Sequence, residues 1–225
     1  MSDFLIAPCG DACLTIEFPP AIEEGLSLRC AAIARAIRAQ NVAAIHDVVP
    51  TFHTVAVHFD PRRIPYRSLE RILHACAAAP AAAVAGEGRV IEVPVHYGGE
   101  FGPDLQAVAS FGGCTLEEVV RLHSDPIYLV FMLGFLPGFA YLGQVDERIA
   151  APRLETPRIR VPAGSVAIAG RQTAIYPLDS PGGWQIIGRT PLRPFSPESP
   201  NPFLFQPADR VKFVPVDARI GQALK

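Results

Sequence analysis

Apolar residues recur at Ile22, Leu26, Cys30, Ile33 and Ile37, with Glu23, Glu24, Arg29, Arg35 and Arg38 set between them. That three-to-four spacing predicts an amphipathic helix over 22–40, and early acids with late arginines suit its dipole. Leu69, Ile72, Leu73 and Cys76 repeat the spacing and predict a second helix over 66–78. Before and between these helices the pattern changes to alternation. It runs through ACLTIEF (12–18), closed by Pro19-Pro20, then 45–49, then 54–59, where Val55, Val57 and Phe59 alternate with Thr54, Ala56 and His58. A period of two predicts strands with one buried face. Residues 1–80 therefore read as a small α/β sandwich of antiparallel strands and two helices.

Small residues and glycine then follow Pro80, and 81–88 is expected to be a linker. The remaining stretch, 89–225, opens with a strand, RVIEVPVHY. Thr115 followed by Glu118 is a capping box for a short helix ending near Ser124. Tyr128 to Leu133 is an apolar strand, and from there short apolar runs and Gly/Pro turns recur to Val216, the pattern of an all-β barrel. The fold class is therefore α+β. Gly170-Arg171 fits a glycine-first hairpin turn. The resulting register puts Gln172, Ala174 and Tyr176 on one face and Thr173 with Ile175 on the other, while Ser165, Ala167 and Ala169 make a face with little bulk.

A hydrophobic fraction of 49% and a formal net charge of −2 over 225 residues describe a soluble globular chain with no electrostatic case for nucleic acid or an anionic membrane as partner. The first residues lack the basic and apolar regions of a signal peptide, and no apolar run reaches the ~20 residues of a membrane span; a cytoplasmic location is expected. Five cysteines without a CxxC pair favour free thiols. The six histidines lack metal-ligand spacing, so no metal site is expected; His96 and His123 are candidate acids or bases, the others structural or solvated. Neither GxxxxGK[ST] nor GxGxxG occurs, so the chain holds no standard phosphate loop. Lysine stands only at Lys212 and Lys225, away from any glycine- and serine-rich context, which excludes Ser-Ser-Lys amidase chemistry and a biotin-carrier lysine.

Candidate chemistry concentrates between Leu133 and Pro191. In SPGGW, Gly182 and Gly183 allow their amides to approach an anion or carbonyl closely, Ser180 adds a hydroxyl, and Trp184 supplies a wall. Arg153, Arg158, Arg160 and Arg189 flank these turns with planar forks suited to carboxylate or phosphate, although Arg153 and Arg160 read better as solvated loop residues. Phe135, Phe139 and Tyr141 suit either a cavity rim or aromatic core.

The run GFLPGFAYLG…PR…PR..VPAGSVAIAG.QT.IYP..SPGGW..IGRTP, with PVHYGGEFGPDL upstream and VKFVPV downstream, resembles the family of the 5-oxoprolinase B subunit, the sporulation-kinase inhibitors and allophanate hydrolase subunit 1, a carboxyltransferase C/D-like family. The resemblance spans nearly the whole chain. It implies a cyclophilin-like antiparallel β-barrel for the second domain. It also implies work beside the C subunit of 5-oxoprolinase, of related barrel fold, and its A subunit to open the lactam 5-oxoproline to glutamate, with ATP and Mg used in the assembled complex. A histidine kinase is the partner implied by the inhibitor members. By the same resemblance Phe139, Tyr141, Arg158, Pro162, Gly164, Ser165, Gln172, Thr173, Tyr176, Ser180, Gly182, Gly183, Trp184 and Arg189 line or shape a substrate cavity. Arg189 and the Gly182-Gly183 amides suit an anionic group, Gln172 and Tyr176 the lactam polar atoms; no residue is assigned the catalytic step. The chain departs from the family pattern at Ala140, Gln144, Ala174, Phe195-Ser196-Pro197 and Ala208, the last replacing a usual glycine.

Overall fold

A computed structural model of the chain describes residues 3–79 and 88–216. The chain divides between Glu87 and Gly88 into two compact units. Except for Gly88, the expected linker lies outside the described residues.

The first unit holds β1 (Leu5–Pro8), β2 (Cys13–Glu17), α1 (Glu24–Ala39), β3 (Ile45–Pro50), β4 (Thr54–Phe59) and α2 (Tyr66–Ala78). Its strands form one antiparallel sheet in the order β1-β2-β4-β3. The alternating side chains Leu14, Ile16, Val55, Val57 and Phe59 meet Cys30, Ile33, Ile37, Leu69 and Leu73 of the helices in one core. The opposite face of the sheet carries Cys13, Thr15 and His58, the alternate positions of β2 and β4.

The second unit holds β5 (Val90–Tyr97), α3 (Leu105–Gly112), α4 (Leu116–Ser124), β6 (Ile127–Leu133), β7 (Ala140–Gly143), β8 (Arg158–Val161), β9 (Ser165–Ala169), β10 (Gln172–Ile175), β11 (Ser180–Gly182), β12 (Gln185–Arg189) and β13 (Arg210–Pro215). Seven of these strands close a barrel in the order β10-β7-β6-β13-β5-β12-β9, and β8 and β11 pair as a separate ribbon. β5 and β13 run parallel, whereas the other neighbours in the barrel are antiparallel. Every barrel strand contributes to one apolar cluster, among them Val93, Val130, Leu142, Val166, Ile168, Ile175, Ile187, Val211 and Phe213, so this set fills the interior. Leu105, Val108, Val119 and Leu122 of α3 and α4 join it. The capping box of α4 is formed by Thr115 and Glu118 in both directions. Ala208 holds φ at +77°, a conformation that costs an L-residue about 1–2 kcal/mol.

One polar row crosses this interior. Tyr97 Oη lies 2.7 Å from His123 Nδ1, His123 Nε2 lies 2.8 Å from Thr173 Oγ1, and Thr173 Oγ1 donates to the Ala167 carbonyl at 3.0 Å. The last bond decides the others. The Thr173 proton is committed to a carbonyl, so Thr173 accepts from Nε2–H, and Nδ1 accepts from Tyr97. His123 is fully buried, and burial lowers its pKa from 6.5 to about 3, so the neutral tautomer with Nε2 protonated is the resident form.

Candidate functional site

Inward Val166, Ile168 and Ile175 require their neighbours Ala167, Ala169 and Ala174 to face outward. The β9–β10 hairpin pairs Ala167 with Ala174 and Ala169 with Gln172, and β7 extends the row by pairing Tyr141 with Ala174. The result is a floor of methyl groups on the barrel exterior. Small floor residues leave room for a thick layer above, which Phe139, Tyr176, Trp184, Ile186 and Val161 occupy, with Leu136 and Tyr141 at its border.

The rings meet edge to face. Phe139 stands 4.9 Å from Tyr141, 5.2 Å from Tyr176 and 5.6 Å from Trp184, and Tyr141 lies 5.9 Å from Trp184. Such T-shaped pairs favour the aromatic quadrupoles. Phe139, Tyr176 and Trp184 are buried, so the layer is a second core of the unit. Phe135 continues it outward: its ring is 5.3 Å from Phe139, it is 60% exposed, and its φ is +68°. An exposed aromatic held in left-handed backbone is strain concentrated at the rim of the layer. Arg153 places its guanidinium 5.7 Å over the Trp184 ring, a cation on an aromatic face rather than a purely solvated loop residue.

SPGGW wraps the Tyr176 phenol. A Cβ at Gly182 would come within 2.3 Å of Tyr176 Oη. The close approach that glycine permits is thus made by a ring of this chain. Burial raises the pKa of Tyr176 and of Tyr141, so both phenols remain protonated donors at neutral pH. Gly164 accepts a different approach: its φ is +82° and a Cβ there would press on the Thr190 carbonyl at 2.4 Å.

The polar residues divide. Arg158 donates to Asp104 Oδ1 at 2.6 Å and lies 3.5 Å from the Trp184 carbonyl, while Asp104 Oδ2 accepts the Ile186 amide at 2.6 Å. It thereby ties the ribbon to the start of α3 and to β12. Asp104→Ala is expected to cost about 3 kcal/mol by denaturant unfolding, because it leaves the Ile186 amide and the Arg158 charge without their acceptor; Asp104→Asn should recover part of it. Arg160 pairs with Asp179 at 2.5 Å on the surface, and Arg189 donates Nε to the Ala163 carbonyl at 3.1 Å. Asp179, held below the usual carboxylate range by the Ala163 amide first and then by Arg160 and Arg189, anchors this corner. Ser165 Oγ donates to the Pro162 carbonyl, and Thr173 belongs to the interior row. Gln172 Nε2 and Ser180 Oγ are buried without a hydrogen-bond partner among the described residues.

Phe139, Tyr141, Tyr176, Gly182 and Trp184 are therefore brought together. Ser165, Arg189 and His96 form a neighbouring cross-strand row, since Arg189 pairs with both Ser165 and His96. Thr173 faces the other side of the wall. Reading the sequence missed Asp104; its one local signal was an acid following Gly102-Pro103 at a helix start.

The family model described as carboxyltransferase domain, subdomain C and D, matches residues 4–205. The chain belongs to this family. It is 40% identical over 232 residues to a Bacillus subtilis protein named as the B subunit of 5-oxoprolinase, covering 99% of this chain and 97% of that protein. A protein of the same name in Escherichia coli O157:H7 is 39% identical, covering 92% of this chain and 93% of its own length. The solved structure of TTHA0988 superposes with a TM-score of 0.81 at 38% identity, over 92% of this carboxyltransferase-family chain and 40% of the larger chain. Kluyveromyces lactis urea carboxylase, at 17% identity and a TM-score of 0.74, shares the fold over 98% of this chain and 22% of its own.

Proposed function

We propose that this chain is the B subunit of an ATP-dependent 5-oxoprolinase and opens 5-oxoproline to glutamate together with the A and C subunits of that enzyme. The observation that carries the reading is identity of about two residues in five, over essentially full length, to a protein bearing that name. The site is compatible with half of a shared cavity. Its aromatic layer is closed by the chain's own rings, while Phe135 and Ile159, 60% and 92% exposed, present apolar surface at the rim and on the adjoining ribbon. Arg189 and Arg153 lie beside that layer as cations suited to a carboxylate, and the protonated Tyr141 phenol suits a lactam carbonyl. No group of three or more metal-ligating side chains occurs among the described residues, and the sequence has no phosphate loop. The reading places ATP with Mg on the other components of the complex.

Mixing this chain with candidate A and C subunits, ATP, Mg and 5-oxoproline, and omitting each component in turn, should give glutamate and ADP only with all present. Full turnover without this chain, or none with all components folded, would sink the proposal.

A further inference from the structure

The first hairpin of the chain places two thiols face to face. The β1–β2 register pairs Leu5 with Glu17 and ends at Pro8 with Leu14, so the next facing pair is Cys9 and Cys13. The Cys9 amide donates to the Cys13 carbonyl at 2.9 Å, which makes this a hydrogen-bonded antiparallel pair. In such a pair the Cα atoms sit about 5.5 Å apart with both side chains on one face, and disulfides most often span about 5.5–6 Å.

The pair is also polarised. Leu14 and Ile16 point into the core between sheet and helices, so Cys13 and Cys9 occupy the other face, with His58 directly across from Cys13 on β4. Cys9 is exposed, whereas Cys13 is only 7% exposed and burial pushes its thiol up. Cys9 is the thiol that solvent-borne oxidant meets first, and Cys13 stands behind it. Gly10, at φ +76°, makes the turn with nothing near its missing Cβ. Cys30 and Cys76 are shut in the core, the former pushed up to about 12.

We propose that Cys9 and Cys13 form a reversible dithiol site whose oxidant is a low-molecular-weight disulfide. The Cys9 thiolate attacks one sulfur of the oxidant and expels one thiolate, leaving a mixed disulfide. Cys13, as thiolate, then attacks the Cys9 sulfur and expels the second thiolate. Two protein thiols are oxidised to one disulfide, the oxidant is reduced to two thiols, and both protons pass to the departing thiolates. Closure locks the edge strand β1 onto β2.

The test uses the full reduced chain, glutathione disulfide as oxidant, alkylation and tryptic mass spectrometry. Trypsin cuts after Arg29, so the peptide 1–29 carries Cys9 and Cys13 and no other cysteine. The expected product is this peptide unalkylated and two hydrogens lighter, restored by dithiothreitol. Cys13→Ser should instead retain glutathione on Cys9, and Cys9→Ser should leave Cys13 alkylated, carrying no glutathione. Three results overturn the proposal: a doubly alkylated wild-type peptide where Cys13→Ser is glutathionylated, glutathione persisting on Cys9 of the wild type, or no reaction of either chain.

Discussion

Trp184→Ala is expected to lower stability by about 3–5 kcal/mol in denaturant unfolding, the range for emptying a buried aromatic site. Trp184 is 5% exposed, meets Phe139 and Tyr141 edge to face and lies beneath the Arg153 guanidinium. The methyl floor below cannot rise to fill the gap, because Ala167 and Ala174 are held by barrel ladders. Trp184→Phe should recover most of the stability while losing the wide face under Arg153. Loss of assembled turnover in the folded Phe variant would separate a site role from a packing role. A cost below about 1 kcal/mol for the alanine variant would show that the ring is not part of a packed layer.

The second large effect is acid lability centred on His123. Its pKa falls from 6.5 in the unfolded chain to about 3 in the folded one. Between those values the unfolded chain binds a proton that the native chain refuses, so stability is fully present above pH 6.5 and falls as pH drops, by about 1.4 kcal/mol per unit and approaching about 5 kcal/mol near pH 3. His123→Gln should be less stable at pH 7 by about 1–3 kcal/mol through its disturbed hydrogen bonds, yet show a shallower decline from pH 6.5 to 4. Parallel curves for the two chains would contradict the buried neutral imidazole.

Elements whose signal is local were legible. The helix from Tyr66 to Ala78, the capped helix from Leu116 to Ser124 and the β9–β10 hairpin with its two faces follow from spacing, a Thr–Glu pair and a Gly-Arg turn. α3 is eight residues of mostly small side chains with no side-chain cap, too short for a period to show. The β8–β11 ribbon lies among prolines, which demote a strand on sequence grounds. The parallel β5–β13 ladder joins residues about 120 positions apart, and no local pattern encodes that pairing. The candidate site divides in the same way. Its glycines, rings and arginines stood out by type, but the use of Arg158 depends on an acid 54 positions away, and the partner of the space opened by Gly182 is a tyrosine of the same chain.

The interior row from Tyr97 to Ala167 also bears on proton traffic. Relay along a hydrogen-bonded chain requires each member to pass on one proton as it takes another, and the last acceptor to release what it receives. Here the last acceptor is a backbone amide carbonyl, which has no proton to give up and no basic site to keep one. The row is a wire with a blind end. A proton needed at the outer face of the barrel therefore does not arrive along this row.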